Sequence, residues 1–111
     1  MKRNYMLERY LKLLRWKEYL PLLKKAVEKA LPEAEAYVYG SAVEGKLTAK
    51  SDIDVMLVLN EVPKSPLERA KITARIREEL EELGFYDHYL FEFHFVRKGE
   101  EDKWGPKVKV L

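Results

Sequence analysis

Residues 36–59 read AYVYGSAVEGKLTAKSDIDVMLVL and contain two predicted strands separated by a polar connection. Ala36–Tyr39 is a short β-prone run that ends at the turn residues Gly40 and Ser41. Ile53–Leu59 is an almost continuous apolar run, which is typical of a strand covered on both faces. We therefore expect Ile53–Leu59 to lie in the middle of a sheet.

Two helices are predicted before this segment. Residues 5–19 carry apolar side chains at helical spacing with charged ones between them, which indicates an amphipathic helix. Pro21 either kinks that helix or lies in the first turn of a second helix that runs to about Ala30. Pro32 then ends the second helix.

A helix and a strand are predicted after the segment. Residues 65–68 (SPLE) have the form of a capping box, and the helix that they open is expected to end at Gly84. One side of this helix carries Leu67, Ala70, Ile76, Leu80 and Leu83. Tyr89–Val96 alternates aromatic residues with Glu92 and His94, which predicts a third strand. This order predicts a small α/β (α+β) domain, a mixed sheet of about three strands flanked by helices.

The composition excludes several classes of protein. The 111 residues include no cysteine, which excludes disulfides, thiolate metal sites and cysteine nucleophiles. Hydrophobic residues make up 47%, enough for one core, and the length predicts a single domain over residues 1–111. No apolar run approaches the roughly 18 residues of a membrane span, so we expect a soluble, cytoplasmic protein. The absence of glutamine and the abundance of Lys and Glu favour a thermophile.

Charge is distributed unevenly along the chain. Residues 1–30 carry nine Lys and Arg against three acidic residues, whereas residues 31–96 carry seven against thirteen. A basic first helix is able to meet nucleic acid or an acidic partner. A solvated helix face is the commoner explanation for such a segment, so nucleic acid is not an expected partner.

Three acidic residues lie where strands are predicted. Residues i and i+2 of a strand point to one face, so Asp52 and Asp54 are expected to project two carboxylates about 6–7 Å apart at the backbone. Glu92 supplies a third carboxylate from the last strand. Such carboxylates suit Mg²⁺, and two ions about 3.5–4 Å apart hold both oxygens of an in-line phosphoryl displacement. A solvated strand end is the alternative for the aspartate pair alone.

The Gly40-Ser41 turn adds groups that suit a phosphate. Gly40 has no Cβ, so backbone amides are able to approach an anion closely, and Ser41 adds a hydroxyl. If residues 41–45 form a helical turn, its free N–H groups point at the same anion. Ten residues separate Ser41 from Asp52. The Gly-Ser turn together with the aspartate pair is a far more specific signal than either feature alone.

The segments VYGSAVEG (residues 38–45) and SDIDV (residues 51–55) resemble the minimal nucleotidyltransferases of the DNA polymerase β superfamily. The resemblance covers most of the chain, including the preceding helix and the final acidic strand. It implies the polymerase β-like nucleotidyltransferase fold. Many small members of this family pair with HEPN-domain proteins as antitoxins and transfer AMP to a tyrosine of the HEPN toxin.

The resemblance also implies roles for individual residues. Gly40 and Ser41 would contact the β- and γ-phosphates of a nucleoside triphosphate. Asp52 and Asp54 would ligate two Mg²⁺ ions. Glu92 would help to hold one of these ions and would activate the acceptor hydroxyl.

The chain departs from the family pattern at several positions. Many members carry arginines two and four places after the glycine, where this chain has Ala42 and Glu44. Lys46 and Lys50 are candidate nucleotide-binding cations in the same connection, although solvated loop lysines are the commoner case. The third acid is usually aspartate, so Glu92 reaches one methylene further.

His94 is expected on the same strand face as Glu92. It is able to orient Glu92, ligate a metal or act as a base, and a hydrogen-bonded structural histidine is the alternative. The sequence leaves these roles open.

These observations favour a Mg²⁺-dependent nucleotidyltransferase that moves AMP from ATP to an acceptor hydroxyl. The expected acceptor is a tyrosine of a HEPN toxin, which gives the chain an antitoxin role. The alternative is a catalytically weak or inactive binding module of the same fold that neutralises its partner by contact. Homo- and hetero-oligomers both remain open.

Overall fold

The computed structural model describes residues 4–111, and this part of the chain begins with helices. Helix α1, Tyr5–Leu14, begins at Asn4, whose side chain accepts a hydrogen bond from the Leu7 N–H. A 3₁₀ turn, Trp16–Tyr19, leads into helix α2, Leu20–Ala30. The basic residues at positions 2 and 3 lie outside the described residues.

The interruption after Leu14 corrects the single helix predicted over residues 5–19. Side chains three residues apart eclipse one another in a 3₁₀ turn, and Trp16 and Tyr19 are both buried there. Pro21 lies in the first turn of α2 and does not kink a longer helix. As predicted, α2 ends before Pro32, with Leu31 as its C-cap.

Within the described residues, four strands form one sheet in the order β3-β2-β1-β4. Their bounds are β1 Glu35–Tyr39, β2 Ile53–Leu59, β3 Phe91–Arg97 and β4 Lys107–Lys109. Strand β2 pairs in parallel with β3 and antiparallel with β1, which also pairs antiparallel with β4. The predicted central place of Ile53–Leu59 is confirmed, and the mixed α/β fold is confirmed with four strands where about three were expected.

Two further helices connect the strands. Helix α3, Ser41–Glu44, follows β1, and helix α4, Pro66–Glu82, makes the crossover that the parallel β2–β3 pair requires. Ser65 caps α4 by accepting hydrogen bonds from the N–H groups of Leu67 and Glu68, so the predicted start is confirmed. Within residues 4–111, no helix is long and apolar enough to cross a membrane.

The apolar side of α4 is buried only in part. Ile76 and Leu80 are fully buried, whereas Leu67 is 63% and Leu83 is 41% exposed and Ala70 is exposed. Helix α4 packs on α2, and its 17 residues extend beyond the 11 of its partner. Only its middle is therefore covered.

The sheet separates a large core from a small one. The large core lies between the sheet and helices α2 and α4, and it includes Val55, Leu57 and Phe91. On the opposite face a small cluster joins Tyr39, Met56, Val58 and Val96. Alternation along β2 and β3 places Asp54 and Glu92 on this second face, away from the helices.

Candidate active site

Asp54 and Glu92 are direct neighbours across the parallel pair of strands β2 and β3. His94 lies two residues beyond Glu92 on the same face. One ligand atom from each of Asp54, Glu92 and His94 lies within 4.8 Å of the other two. Two carboxylates and an imidazole at this spacing form a donor set that fits a divalent cation.

His94 contacts both carboxylates of this cluster. Its Nε2 lies 3.3 Å from Oδ1 of Asp54 and 3.8 Å from Oε1 of Glu92. The Tyr39 ring packs edge-on against the imidazole with centroids 5.8 Å apart. Of the roles left open by the sequence, this position suits orientation of a carboxylate and ligation of a metal.

Tyr39 closes the inner side of the cluster. It pairs with Asp54 across β1 and β2, and its side chain is buried. Burial, together with the smaller effects of the nearby Asp54 and Glu92 carboxylates, raises the pKa of Tyr39 to about 12. The phenol is therefore neutral at physiological pH and places no additional negative charge beside the acids.

Gly40 brings the backbone against Asp54. It adopts φ 74° and ψ −147°, a conformation that is essentially restricted to glycine. A Cβ atom at this position would lie 2.5 Å from Oδ2 of Asp54. Ser41 then opens α3, so the expected helical turn is confirmed, and Gly45 ends it in the left-handed conformation.

Asp52 lies apart from the three-residue cluster. It precedes the first residue of β2, and it is not among the clustered metal-ligating groups of residues 4–111. Its Oδ1 accepts a hydrogen bond of 2.9 Å from Nη2 of Arg9 in α1. The structure thus brings Asp54 and Glu92 together and holds Asp52 against a helix.

The candidate nucleotide-binding lysines are exposed. Lys46 is 74% exposed in its side chain, and its Nζ lies 3.8 Å from Oε1 of Glu44. Lys50 is exposed in the connection before β2. Neither lysine is among the clustered groups, and Ala42 is buried.

Arg9 makes a contact with Asp52 that the sequence does not indicate. Residues 1–30 are basic, but no spacing links position 9 to position 52. Its contact depends on how α1 packs near the start of β2, and a strand-and-turn motif carries no information on that packing.

One cavity is lined in part by Ala42, Gly45 and Leu47, beside α3. Another, of about 610 Å³, is lined by residues 61–65 with Glu68 and Arg97, beyond the far end of β2. Asp54 and Glu92 instead lie on an open surface, with side chains 26% and 53% exposed.

A mixed sheet that places paired strand carboxylates beside a Gly-Ser turn defines a nucleotidyltransferase. The sequence model of the family described as "Nucleotidyltransferase domain" matches residues 20–110, and the chain belongs to this family, within the polymerase β-like superfamily. Its members act on nucleoside triphosphates and generally use a divalent metal.

One solved structure shares this fold. A "putative nucleotidyltransferase" from Sulfolobus solfataricus is 23% identical with a TM-score of 0.54, over 97% of this chain and 87% of that one. A second crystal structure with the same description is 29% identical with a TM-score of 0.46, over 86% of this chain and 96% of that one. The comparison with curated proteins gives no match.

Proposed function

We propose that the chain transfers AMP from ATP to an acceptor hydroxyl, and that the acceptor is a tyrosine of a HEPN toxin, which makes the chain an antitoxin. The observation that carries the transfer is the pairing of Asp54 with Glu92 on adjacent strands, with the Gly40 backbone against Asp54. Membership of the nucleotidyltransferase family supports the triphosphate substrate.

Asp54, Glu92 and His94 are the groups that would hold a divalent metal, and Asp52, which pairs with Arg9 outside this cluster, is proposed as a further ligand. A bound Mg²⁺ supplies charge stabilisation to the triphosphate during in-line displacement. The oxygen-rich donor set fits this ion, and the two-ion arrangement is part of the proposal.

The remaining steps belong to the residues of the chain. The acceptor oxygen forms a bond to the α-phosphorus of ATP, the bond from that phosphorus to the bridging oxygen breaks, and pyrophosphate leaves. Glu92, which is half exposed, accepts the proton of the acceptor hydroxyl. Gly40 and Ser41 bind the β- and γ-phosphates, with Lys46 and Lys50 as the nearby cations.

The exposure of the site supports a protein acceptor. Glu92 faces solvent on the side of the sheet opposite helices α2 and α4. A tyrosine on the surface of a partner is therefore able to approach the carboxylate without entering a closed pocket. The HEPN identity of that partner rests on the family resemblance.

One observation favours the rival hypothesis of a binding module. Glu44 places a carboxylate on the short helix that follows Gly40, and its ion pair with Lys46 offsets one of the two candidate cations. Weak triphosphate binding would leave contact alone to neutralise the partner. Under this hypothesis, calorimetry detects the complex with the partner but no metal-dependent ATP binding.

Mass spectrometry of a HEPN-domain partner tests the proposal. The partner is incubated with the chain, ATP and Mg²⁺, and its tryptic peptides are examined for a tyrosine that carries an AMP group. We expect this peptide with the wild type and its absence with Asp52→Asn/Asp54→Asn. An unmodified partner, or equal modification by the variant, would contradict the AMP-transfer proposal.

A further inference from the structure

The guanidinium of Arg9 links helix α1 to the residues just before β2. Nη1 of Arg9 donates a hydrogen bond of 2.8 Å to the backbone carbonyl of Ser51, and Nη2 donates one of 2.9 Å to Oδ1 of Asp52. The Arg9 side chain is 25% exposed. Two donors of one planar group thus fix both the backbone and the carboxylate at this point.

Helix α1 holds Arg9 at a defined place. Leu13, one turn further along the helix, is fully buried. The Tyr19 hydroxyl donates a hydrogen bond of 2.7 Å to the carbonyl of Lys12, and Lys12 forms an ion pair of 3.0 Å with Asp87. Arg9 therefore acts from a helix whose next turn is tied to the body of the protein at Lys12 and Leu13.

Asp52 needs such a support because the sheet does not hold it. Strand β2 begins at Ile53, so Asp52 is outside the ladder that orients Asp54 against Glu92. Its side chain is 40% exposed, and a free carboxylate of this kind samples several rotamers. The bond from Arg9 restricts Oδ1 and leaves Oδ2 to face other groups.

We infer that Arg9 is a positioning residue, which orients the Asp52 carboxylate for a divalent cation that Asp54, Glu92 and His94 share. This inference rests on the proposed function, in which Asp52 is a metal ligand. Partners that orient a ligand in this way typically contribute about 10- to 100-fold to metal affinity.

Other roles for Arg9 predict other changes in metal affinity when Arg9 is replaced. If Arg9 instead occupied the place of the cation on Asp52, its removal would free the carboxylate and tighten metal binding. If the contact only fastened α1 to the body, its removal would lower stability and leave metal affinity unchanged. Metal affinity therefore separates the three cases.

Binding of Mn²⁺ alone, followed by the loss of its free-ion electron paramagnetic resonance signal, tests the inference without any turnover. We expect Arg9→Gln to weaken Mn²⁺ binding by about 10-fold or more. Arg9→Lys should fall between Arg9→Gln and the wild type, because a single ammonium cannot bridge both oxygens as a guanidinium fork does. Lys12→Gln is the matched control, since Lys12 lies on the same helix and pairs with Asp87.

A double-mutant cycle shows whether Arg9 acts through Asp52. In an Asp52→Asn background, Arg9→Gln should cause no further loss of Mn²⁺ affinity. Thermal unfolding of each metal-free variant identifies any variant that fails to fold. If Arg9→Gln does not fold, Mn²⁺ binding by Arg9→Lys tests the inference. Unchanged or tighter Mn²⁺ binding by a folded Arg9 variant would overturn the inference alone, whereas no Mn²⁺ binding by the wild type would overturn the proposed function with it.

Discussion

Gly40 and Asp54 lie so close together that a Cβ atom at position 40 would come within 2.5 Å of Oδ2 of Asp54. The contact joins the residue after β1 to the second residue of β2. It places the backbone that precedes α3 directly beside a candidate metal ligand. Two features therefore require glycine at position 40. Asp54 occupies the space that a side chain would need, and the backbone has a φ of 74°.

Gly40→Ala should disrupt the site as well as the fold. The methyl group would displace the Asp54 carboxylate, and the backbone conformation would add about 1–3 kcal/mol of strain. We expect lower thermal stability and Mn²⁺ binding weakened by about 10-fold or more. Gly45→Ala is the control, because Gly45 also has a positive φ but a Cβ there meets nothing within 4 Å. Equal Mn²⁺ affinity in the two variants would show that the Gly40–Asp54 contact does not matter for the site.

His94→Gln should change which metal the site prefers. An imidazole nitrogen favours transition metals such as Co²⁺, whereas carboxylates alone suit Mg²⁺. We expect Co²⁺ affinity, read from its visible absorption, to fall by about 10-fold and Mg²⁺ affinity to change less. His88→Gln serves as the control, since His88 is held by Glu81 and Arg77 outside the cluster. A parallel loss for both metals would argue that His94 only orients its neighbours.

Glu44→Gln should tighten ATP binding. The substitution removes a negative charge one helical turn after Gly40 and releases Lys46 from its ion pair. The gain expected for an exposed charge is roughly two- to fivefold, and it should shrink at high salt. Calorimetry with ATP and Mg²⁺ measures it, with Glu33→Gln at the other end of β1 as the control. No change, or weaker binding, would place the triphosphate away from α3.

Tyr39 should make the protein sensitive to alkali in the absence of metal. Its pKa is about 12 in the folded protein and about 10 when unfolded, so the unfolded state loses the phenolic proton first as pH rises. The stabilising contribution is complete below pH 10 and is lost between about pH 10 and 12, and the shift corresponds to at most about 2–3 kcal/mol. Urea unfolding at several pH values should show a smaller alkaline loss for Tyr39→Phe than for the wild type or for Tyr86→Phe. An identical loss in Tyr39→Phe would contradict this origin.

Much of the fold follows from local sequence signals. Ile53–Leu59 is a strand with the predicted bounds, because a continuous apolar run of that length is stable only when both faces are covered. Ser65 and Pro66 fix the start of α4 by chemistry confined to four residues. Strand β4 lacks such a signal, since it has three residues and gains its order by pairing with β1.

The sequence indicates candidate site residues but not how they are arranged. Glu92 was an expected partner of Asp54, yet the register that places them opposite each other depends on the crossover through α4. The packing of α1 decides that Asp52 contacts Arg9, and the side-chain geometry of β3 decides that His94 joins the carboxylates. Contacts between residues about 40 positions apart leave no local trace in a single sequence.

The most direct test of metal-dependent nucleotidyl transfer compares ATP labelled at the α-phosphorus with ATP labelled at the γ-phosphorus. The chain is incubated with a HEPN-domain partner and Mg²⁺, and protein-bound label is measured beside released pyrophosphate. We predict label on the partner from the α position only, with pyrophosphate released in step, and loss of both in Asp54→Asn and on removal of Mg²⁺. Label from the γ position, no label at all, or transfer that persists in Asp54→Asn would contradict the assignment of this site.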